Sequence, residues 1–367
     1  MLERIAREAG LSTGLYTSPH LSKLTERVRV NGEPISDATL DAALERVMRD
    51  ATGELTFFET LTMAAFVALA DAELDVVVLE VGLGGRLDAT NLIERPLATG
   101  ITSISVGEGG RYLEHANFLG DTVAAIAREK AGIAKPGVPL VLGPLSAEAW
   151  ESVLVVAHKV SALVLEPRVA ADGALRLSNG ETLLLRPLLG GPHQIENAAV
   201  AAEMAVAAAS LGVRTSHIER GIAMASWPGR LESISFRGRT VVLDAAHNID
   251  GVRALVRALP GLGIDAARTI LVFGALADKP FASMLGLLAP FAQRRVYAPP
   301  EGRAPALPAT LAAIAAGETC ETAMQAIERA LAISAPGDTL LVTGSIYFVG
   351  AVRAWLLGIE ADPVIAL

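Results

Sequence analysis

Residues 75–91 read Asp-Val-Val-Val-Leu-Glu-Val-Gly-Leu-Gly-Gly-Arg-Leu-Asp-Ala-Thr-Asn, and no other stretch limits the fold as tightly. The β-branched run fits a parallel strand buried on both faces. Glu80 stands where that strand ends, and a glycine-rich turn follows it. In an open α/β sheet, ligands bind beyond the carboxyl ends of the strands. Glu80 is therefore placed to hold a metal or polarise a substrate, and the glycines allow close backbone approach. An ordinary strand end with a glycine turn would read the same, so the stretch needs support from the rest of the chain.

That support is an alternation of strands and helices. Strands are expected at Gly14–Thr17, Asp75–Val81, Leu97–Ser105 and Val138–Leu142, with short strands in 163–185 around a turn at Ser178–Gly180. Helical spacing marks Met1–Glu8, Asp37–Asp50, Phe57–Ala70, Asp121–Ala131, Glu148–Lys159 and Ile195–Leu211. Trp227-Pro228-Gly229-Arg230 interrupts the pattern. It then restarts with strands at Thr240–Asp244, Thr269–Phe273, Arg295–Ala298 and Thr339–Thr343, and helices from Ile249 and Phe281. Repeated βα units imply an α/β chain with mostly parallel sheets in two domains, 1–227 and 233–367, joined by a linker at 228–232.

Composition excludes several classes. The 367 residues suffice for two cores, and 51% hydrophobic against 19% charged residues is not a disordered composition. No apolar run is long enough to span a bilayer, and Met1–Glu8 is not a signal peptide. Cys320 is the single cysteine, which excludes an internal disulfide framework and a thiolate metal cluster and suits a cytoplasmic enzyme. A net charge of -9 argues against a broad nucleic-acid surface.

Polar clusters recur at strand ends and helix starts: Ser18-Pro19-His20, Phe57–Thr60, Glu114-His115, Glu129-Lys130, Asp244–Asn248, Gly274–Lys279 and Gly344-Ser345 with Tyr347. Singly, each has a plain structural reading. Asp244 and Asn248 could cap a helix, and Lys130 could balance a helix dipole. His193 and His217 read as surface or capping residues, His158 as surface.

Together with Gly14–His20, Glu26–Gly32, Glu80–Asn91, Ile101–Ile104, Glu129–Ile133, His193-Gln194, Asn197-Ala198 and Pro228–Glu232, these clusters run in one order over nearly the whole chain. In that order they resemble the folylpolyglutamate synthase/dihydrofolate synthase family of the Mur ligase superfamily. The resemblance implies a Mur-ligase-like central domain and a Rossmann-like glutamate ligase domain. It implies an ATP-dependent amide ligase, with ATP as co-substrate and Mg²⁺ as cofactor. The carboxylate of dihydropteroate or a folate would be phosphorylated, and L-glutamate would attack the acyl phosphate.

By the same resemblance Ser18, Glu80 and His115 are metal residues, and Lys130 serves the metal and catalysis as a carbamate. The fifteen-residue step from His115 to Lys130 matches the family spacing. Asn197, Arg230 and Asp244 match nucleotide contacts. His247 and Ser345 match groups near the incoming glutamate. A site shared by two domains implies closure about Pro228-Gly229, and a monomer is expected.

Two departures stand out. Val106–Tyr112 is an insertion ahead of His115, and Glu114 replaces the more usual aspartate. None of the five lysines (Lys23, Lys130, Lys135, Lys159, Lys279) follows a glycine as a G-K-[ST] loop requires. The expectation is a reading frame continuing upstream of Met1 for about fifty codons with such a loop. Without it, a chain of low stability and weak ATP affinity is expected. The alternative is a non-catalytic remnant that binds folate, glutamate or a protein partner. The 18–20 and 80–91 text argues against a cell-wall amide ligase.

Overall fold

The computed structural model describes residues 1–104, 120–302 and 304–363. The expected Ser105, the insertion 106–112, Glu114 and His115 fall outside them. The described chain forms two compact units. The first comprises Met1–His20, Leu24–Leu188 and Gln194–Ala225, and the second Leu21–Lys23, Leu189–His193 and Ser226–Leu367. The short segments 21–23 and 189–193 thus belong with the second unit, although the sequence expectation set them within 1–227.

The first unit runs α1 (Leu2–Glu8), β1 (Thr13–Tyr16), β2 (Val28–Val30), β3 (Glu33–Pro34), α2 (Asp37–Asp50), α3 (Phe57–Ala70), β4 (Val76–Leu79), β5 (Thr99–Ile101), α4 (Val123–Ala131), β6 (Pro139–Leu142), α5 (Ala147–Lys159), β7 (Leu163–Leu165), β8 (Ala174–Arg176) and β9 (Thr182–Leu184). It closes with α6 (Pro192–Ala207), counted from Gln194, and α7 (Thr215–Met224). Its strands make three sheets: β3-β2-β1-β4, parallel β5-β6-β7, and the β8-β9 hairpin. β1 pairs parallel with β4 and antiparallel with β2, so the four-stranded sheet is mixed.

The helices start where local chemistry dictates. Thr56 and Glu59 form a reciprocal capping box that opens α3, and the Thr122 and Ser146 hydroxyls cap α4 and α5. One correction concerns β4, expected to be buried on both faces. It pairs only with β1 among the described residues, and Val77 is 40% exposed. An edge strand uncovered on one side leaves such side chains in water.

The second unit holds one six-stranded sheet, built from β10 (Glu232–Phe236), β11 (Arg239–Leu243), β12 (Thr269–Phe273), β13 (Arg294–Tyr297), β14 (Glu318–Thr319) and β15 (Thr339–Thr343). Helices α8 (Ile249–Ala258), α9 (Phe281–Leu288), α10 (Pro308–Ile314), α11 (Ala323–Ile333) and α12 (Ile346–Leu357) complete it. The strand order is β10-β11-β15-β12-β13-β14, all parallel except β10. Every residue of β12 is buried, because separate apolar clusters cover the two faces of the sheet. This order and burial are those of a doubly wound fold. Leu21 packs into the cluster containing Val349 and Val352, which explains why 21–23 counts with this unit.

Candidate functional site

In the first unit the chemistry gathers where β1 and β4 end. The Glu80 N–H donates to the Tyr16 carbonyl at 2.9 Å, extending the β1–β4 ladder by one step. The Ser18 N–H donates to Glu80 Oε2 at 3.1 Å. Two of the expected metal residues are thus joined, with Glu80 exposed at the strand terminus.

Asp88 shapes the turn that follows. Its Oδ2 accepts from the N–H groups of Gly82 (3.1 Å) and Leu83 (2.9 Å). Its Oδ1 accepts from Thr90 N–H (2.9 Å) and Thr90 Oγ1 (2.6 Å). Four donors fill the acceptor capacity of this buried carboxylate. It therefore fixes the loop rather than offering a free ligand atom.

The loop then docks on the end of α4, where Lys130 sits. The Arg86 N–H donates to the Glu129 carbonyl at 2.9 Å, and Arg86 Nε reaches both Glu129 carboxylate oxygens at 3.1 and 3.2 Å. Asn91 Nδ2 donates to the Arg86 and Gly132 carbonyls, both at 3.1 Å, and Lys135 Nζ donates to the Asn91 carbonyl. Gly85 is required at this contact, since a Cβ there would lie 2.8 Å from the Lys130 carbonyl and from Ile133. The strand-end loop and the helix end bearing Lys130 therefore form one docked piece.

Lys130 is half-buried, and burial holds its amine below the usual lysine range. The neutral amine is the form that can take up CO₂ as a carbamate. A lysine serving only the helix dipole would gain from keeping its charge. Among the described residues no group of three or more His, Cys, Asp or Glu side chains could hold a metal. The expected set relies instead on a hydroxyl, a modified lysine and His115, which lies outside those residues. Asn197, on α6, donates from Nδ2 to Gln194 Oε1 at 3.2 Å.

In the second unit the remaining residues meet at the carboxyl ends of β11 and β15. Asp244 is buried, and accepts from the N–H groups of Leu231 and Ala246, both at 3.0 Å. Burial pushes its carboxyl up, while the Arg230 charge pulls the other way. Burial, and after it the same arginine, lower His193. His247 Nδ1 lies 2.9 Å from the Ala245 carbonyl. The Gly344 N–H and Thr343 Oγ1 both donate to the Ala246 carbonyl, which ties the Asp244–His247 loop to the segment leading into Ser345. Gly344 has φ +108, which only glycine adopts without strain. Asn248 caps α8 through Gly251 N–H at 2.7 Å. His217 is buried as a capping partner of Arg214, and His158 is exposed.

Sequence reasoning assigned no role to Asp88, Asn91 or the Arg86–Glu129 pair. The available signal was Asp-x-Thr after a glycine loop, which often marks a side chain bonding its own backbone.

A family profile described as "Mur ligase, glutamate ligase domain" matches residues 229–346. The chain is 33% identical over 384 residues to the folylpolyglutamate synthase of Lacticaseibacillus casei, covering 97% of this chain and 86% of that protein. It is 36% identical to the dihydrofolate synthase/folylpolyglutamate synthase of Escherichia coli, covering 96% and 82%. It is also 36% identical to a probable bifunctional folylpolyglutamate synthase/dihydropteroate synthase of Haloferax volcanii, of whose length it spans only 44%. The solved structure of E. coli FolC with DHPP and ADP superposes with a TM-score of 0.84 at 32% identity, over 97% of this chain and 84% of that one. A solved structure of a bifunctional folylpolyglutamate synthase/dihydrofolate synthase with Mn, AMPPNP and L-glutamate bound gives 0.82 at 31%, over 97% and 85%.

Proposed function

The chain belongs to the folylpolyglutamate synthase/dihydrofolate synthase family, and from that premise we propose that it is an ATP-dependent ligase joining L-glutamate to dihydropteroate or a folate. One observation in the first unit carries the reading beyond kinship. A desolvated lysine sits on a helix end that is stapled to the loop following a strand-end carboxylate. A purely structural helix end has no need of a buried amine.

The donor set fits a hard divalent cation. Glu80 and Ser18 offer oxygen, and a carbamate on Lys130 would offer more. These residues, with His115, would hold Mg²⁺, which supplies charge neutralisation when two anions must approach. The protein's own part is positional. Phosphate passes from ATP to the substrate carboxylate, and the glutamate amine displaces it to give the amide, ADP and phosphate. In the first unit Asn197 is assigned to the adenine. In the second, Arg230 and Asp244 are assigned to the nucleotide, and His247 and Ser345 to the incoming glutamate. The Asp244–His247 and Thr343–Ser345 segments are hydrogen-bonded to each other, which supports a shared role. A cytoplasmic setting belongs to the same reading.

Incubating the chain with dihydropteroate, L-glutamate, ATP and Mg²⁺ tests the proposal. Release of ADP that needs both organic substrates, with a matching amide product, is expected. Substrate binding without ADP release would instead identify a binding protein.

A further inference from the structure

Arg353 is the only charged residue in α12, and neither the sequence reading nor the proposed mechanism uses it. It stands on a helix whose Val349, Val352 and Leu356 belong to the core of the second unit. Its Nε–H reaches both oxygens of Glu232, at 3.1 and 2.8 Å, with the arginine and glutamate side chains only 13% and 21% exposed. An ion pair this far from water breaks roughly even against apolar side chains of the same volume. Stability alone therefore gives little reason to place an arginine there.

The hydrogen bonds beyond the pair give a better reason. Glu232 Oε2, the oxygen nearer Arg353, also accepts from the Gly229 N–H at 2.8 Å. The Gly229 carbonyl accepts from the Ala245 N–H at 2.8 Å, and the Leu231 N–H donates to Asp244 Oδ2 at 3.0 Å. Arg230 is thus exposed between two residues whose backbones are tied down. Those neighbours have φ +67 at Gly229 and +49 at Leu231. Glycine enters this left-handed region without strain, but leucine does not. Strained backbone persists only where its surroundings over-determine it. Here two ties run to Asp244 and Ala245, and the third runs through Glu232 to Arg353. All of these groups lie in the second unit.

We infer that Arg353 is a positioning residue for the ligation. By clamping Glu232 onto the Gly229 N–H, it holds the 229–231 bend in the strained form that presents the Arg230 guanidinium to the nucleotide. The inference rests on the ligase reading above, and within it on Arg230 meeting ATP.

The test uses the full chain. Arg353→Met keeps an apolar stem and removes the clamp, and Arg353→Gln takes its place if the first does not fold. The variant is expected to raise KM for ATP about tenfold, since a hydrogen bond to a charged group carries at least that much. KM for L-glutamate is expected to stay within about twofold. Arg353→Lys, which keeps the charge without the planar fork, is expected to fall between the variant and wild type. In an Arg230→Ala background, Arg353→Met is expected to change KM for ATP by less than about twofold, because nothing is left to position, whereas independent effects would multiply. Amide exchange at 229–231, read by NMR, is expected to quicken about tenfold in Arg353→Met while β12 keeps its protection. A folded Arg353→Met protein with wild-type KM for ATP would overturn the inference. So would the same tenfold rise in the Arg230→Ala background, or unchanged exchange at 229–231. A wild-type chain that makes no amide defeats the ligase reading instead, and the exchange measurement then decides alone whether Arg353 fixes the bend.

Discussion

At the scale of single residues, Lys130 trades stability for chemistry. Burial lowers its folded pKa below the unfolded value of 10.5, so the charged amine is a liability at neutral pH. The penalty is present in full below the folded pKa and fades as pH rises toward 10.5. In bicarbonate-free buffer Lys130→Met should therefore melt higher than wild type at pH 7, with the gap narrowing as pH rises. A gap that widens would contradict the assignment. The same substitution, and Lys130→Ala, should abolish ligation with the fold intact, and Lys130→Glu should regain part of it by restoring a carboxylate. Asp88 serves the fold through its hydrogen bonds to the loop. Replacing it with Asn turns an NH₂ group against buried donors, at a cost of about 1–3 kcal/mol, readable as a lowered urea midpoint at constant m.

Among the elements, the piece to perturb is the joint between the glycine loop and α4. Arg86 is more than half exposed, so its ion pair with Glu129 is screened and worth only about 0.2–1 kcal/mol in a double-mutant cycle. Gly85→Ala should do more harm, because its Cβ would press on the Lys130 backbone carbonyl at 2.8 Å as well as on the Ile133 side chain. We expect it to cost activity well beyond its effect on thermal stability, since it displaces the loop from Lys130. Equal loss of both would place the loop outside the site.

Much of the element order was legible beforehand. The bounds of α2, α3, β12 and β15 stand as the sequence reading set them, because the two helices start at capping residues and the two strands are short continuous apolar runs. What escaped is equally physical. α12 is apolar around most of its circumference, so it has no polar face to reveal a period. The antiparallel strands β2 and β10 were hidden by the expectation of parallel units. At the site, residue types at strand ends could be read directly. Asp88 and Asn91 could not, because their roles depend on backbone groups that only the folded loop presents.

On the scale of the whole molecule, the two units differ in how they resist opening. The second concentrates its strands in one sheet with a fully buried centre, while the first divides its strands among three small sheets. Hydrogen exchange read by mass spectrometry should find β12 and β15 the slowest segments and β4 among the fastest strands. Slower exchange in β4 than in β12 would contradict this ordering.

The chain passes from one unit to the other five times, after His20, Lys23, Leu188, His193 and Ala225. Neither unit is therefore a contiguous gene fragment. A single protease cut at Ala225 would leave Leu21–Lys23 and Leu189–His193 covalently attached to the wrong piece, and with them the Leu21 anchor of the second core. Swapping this ligase half between relatives by a simple splice at the linker would import a second unit whose missing strands of chain must come from the host.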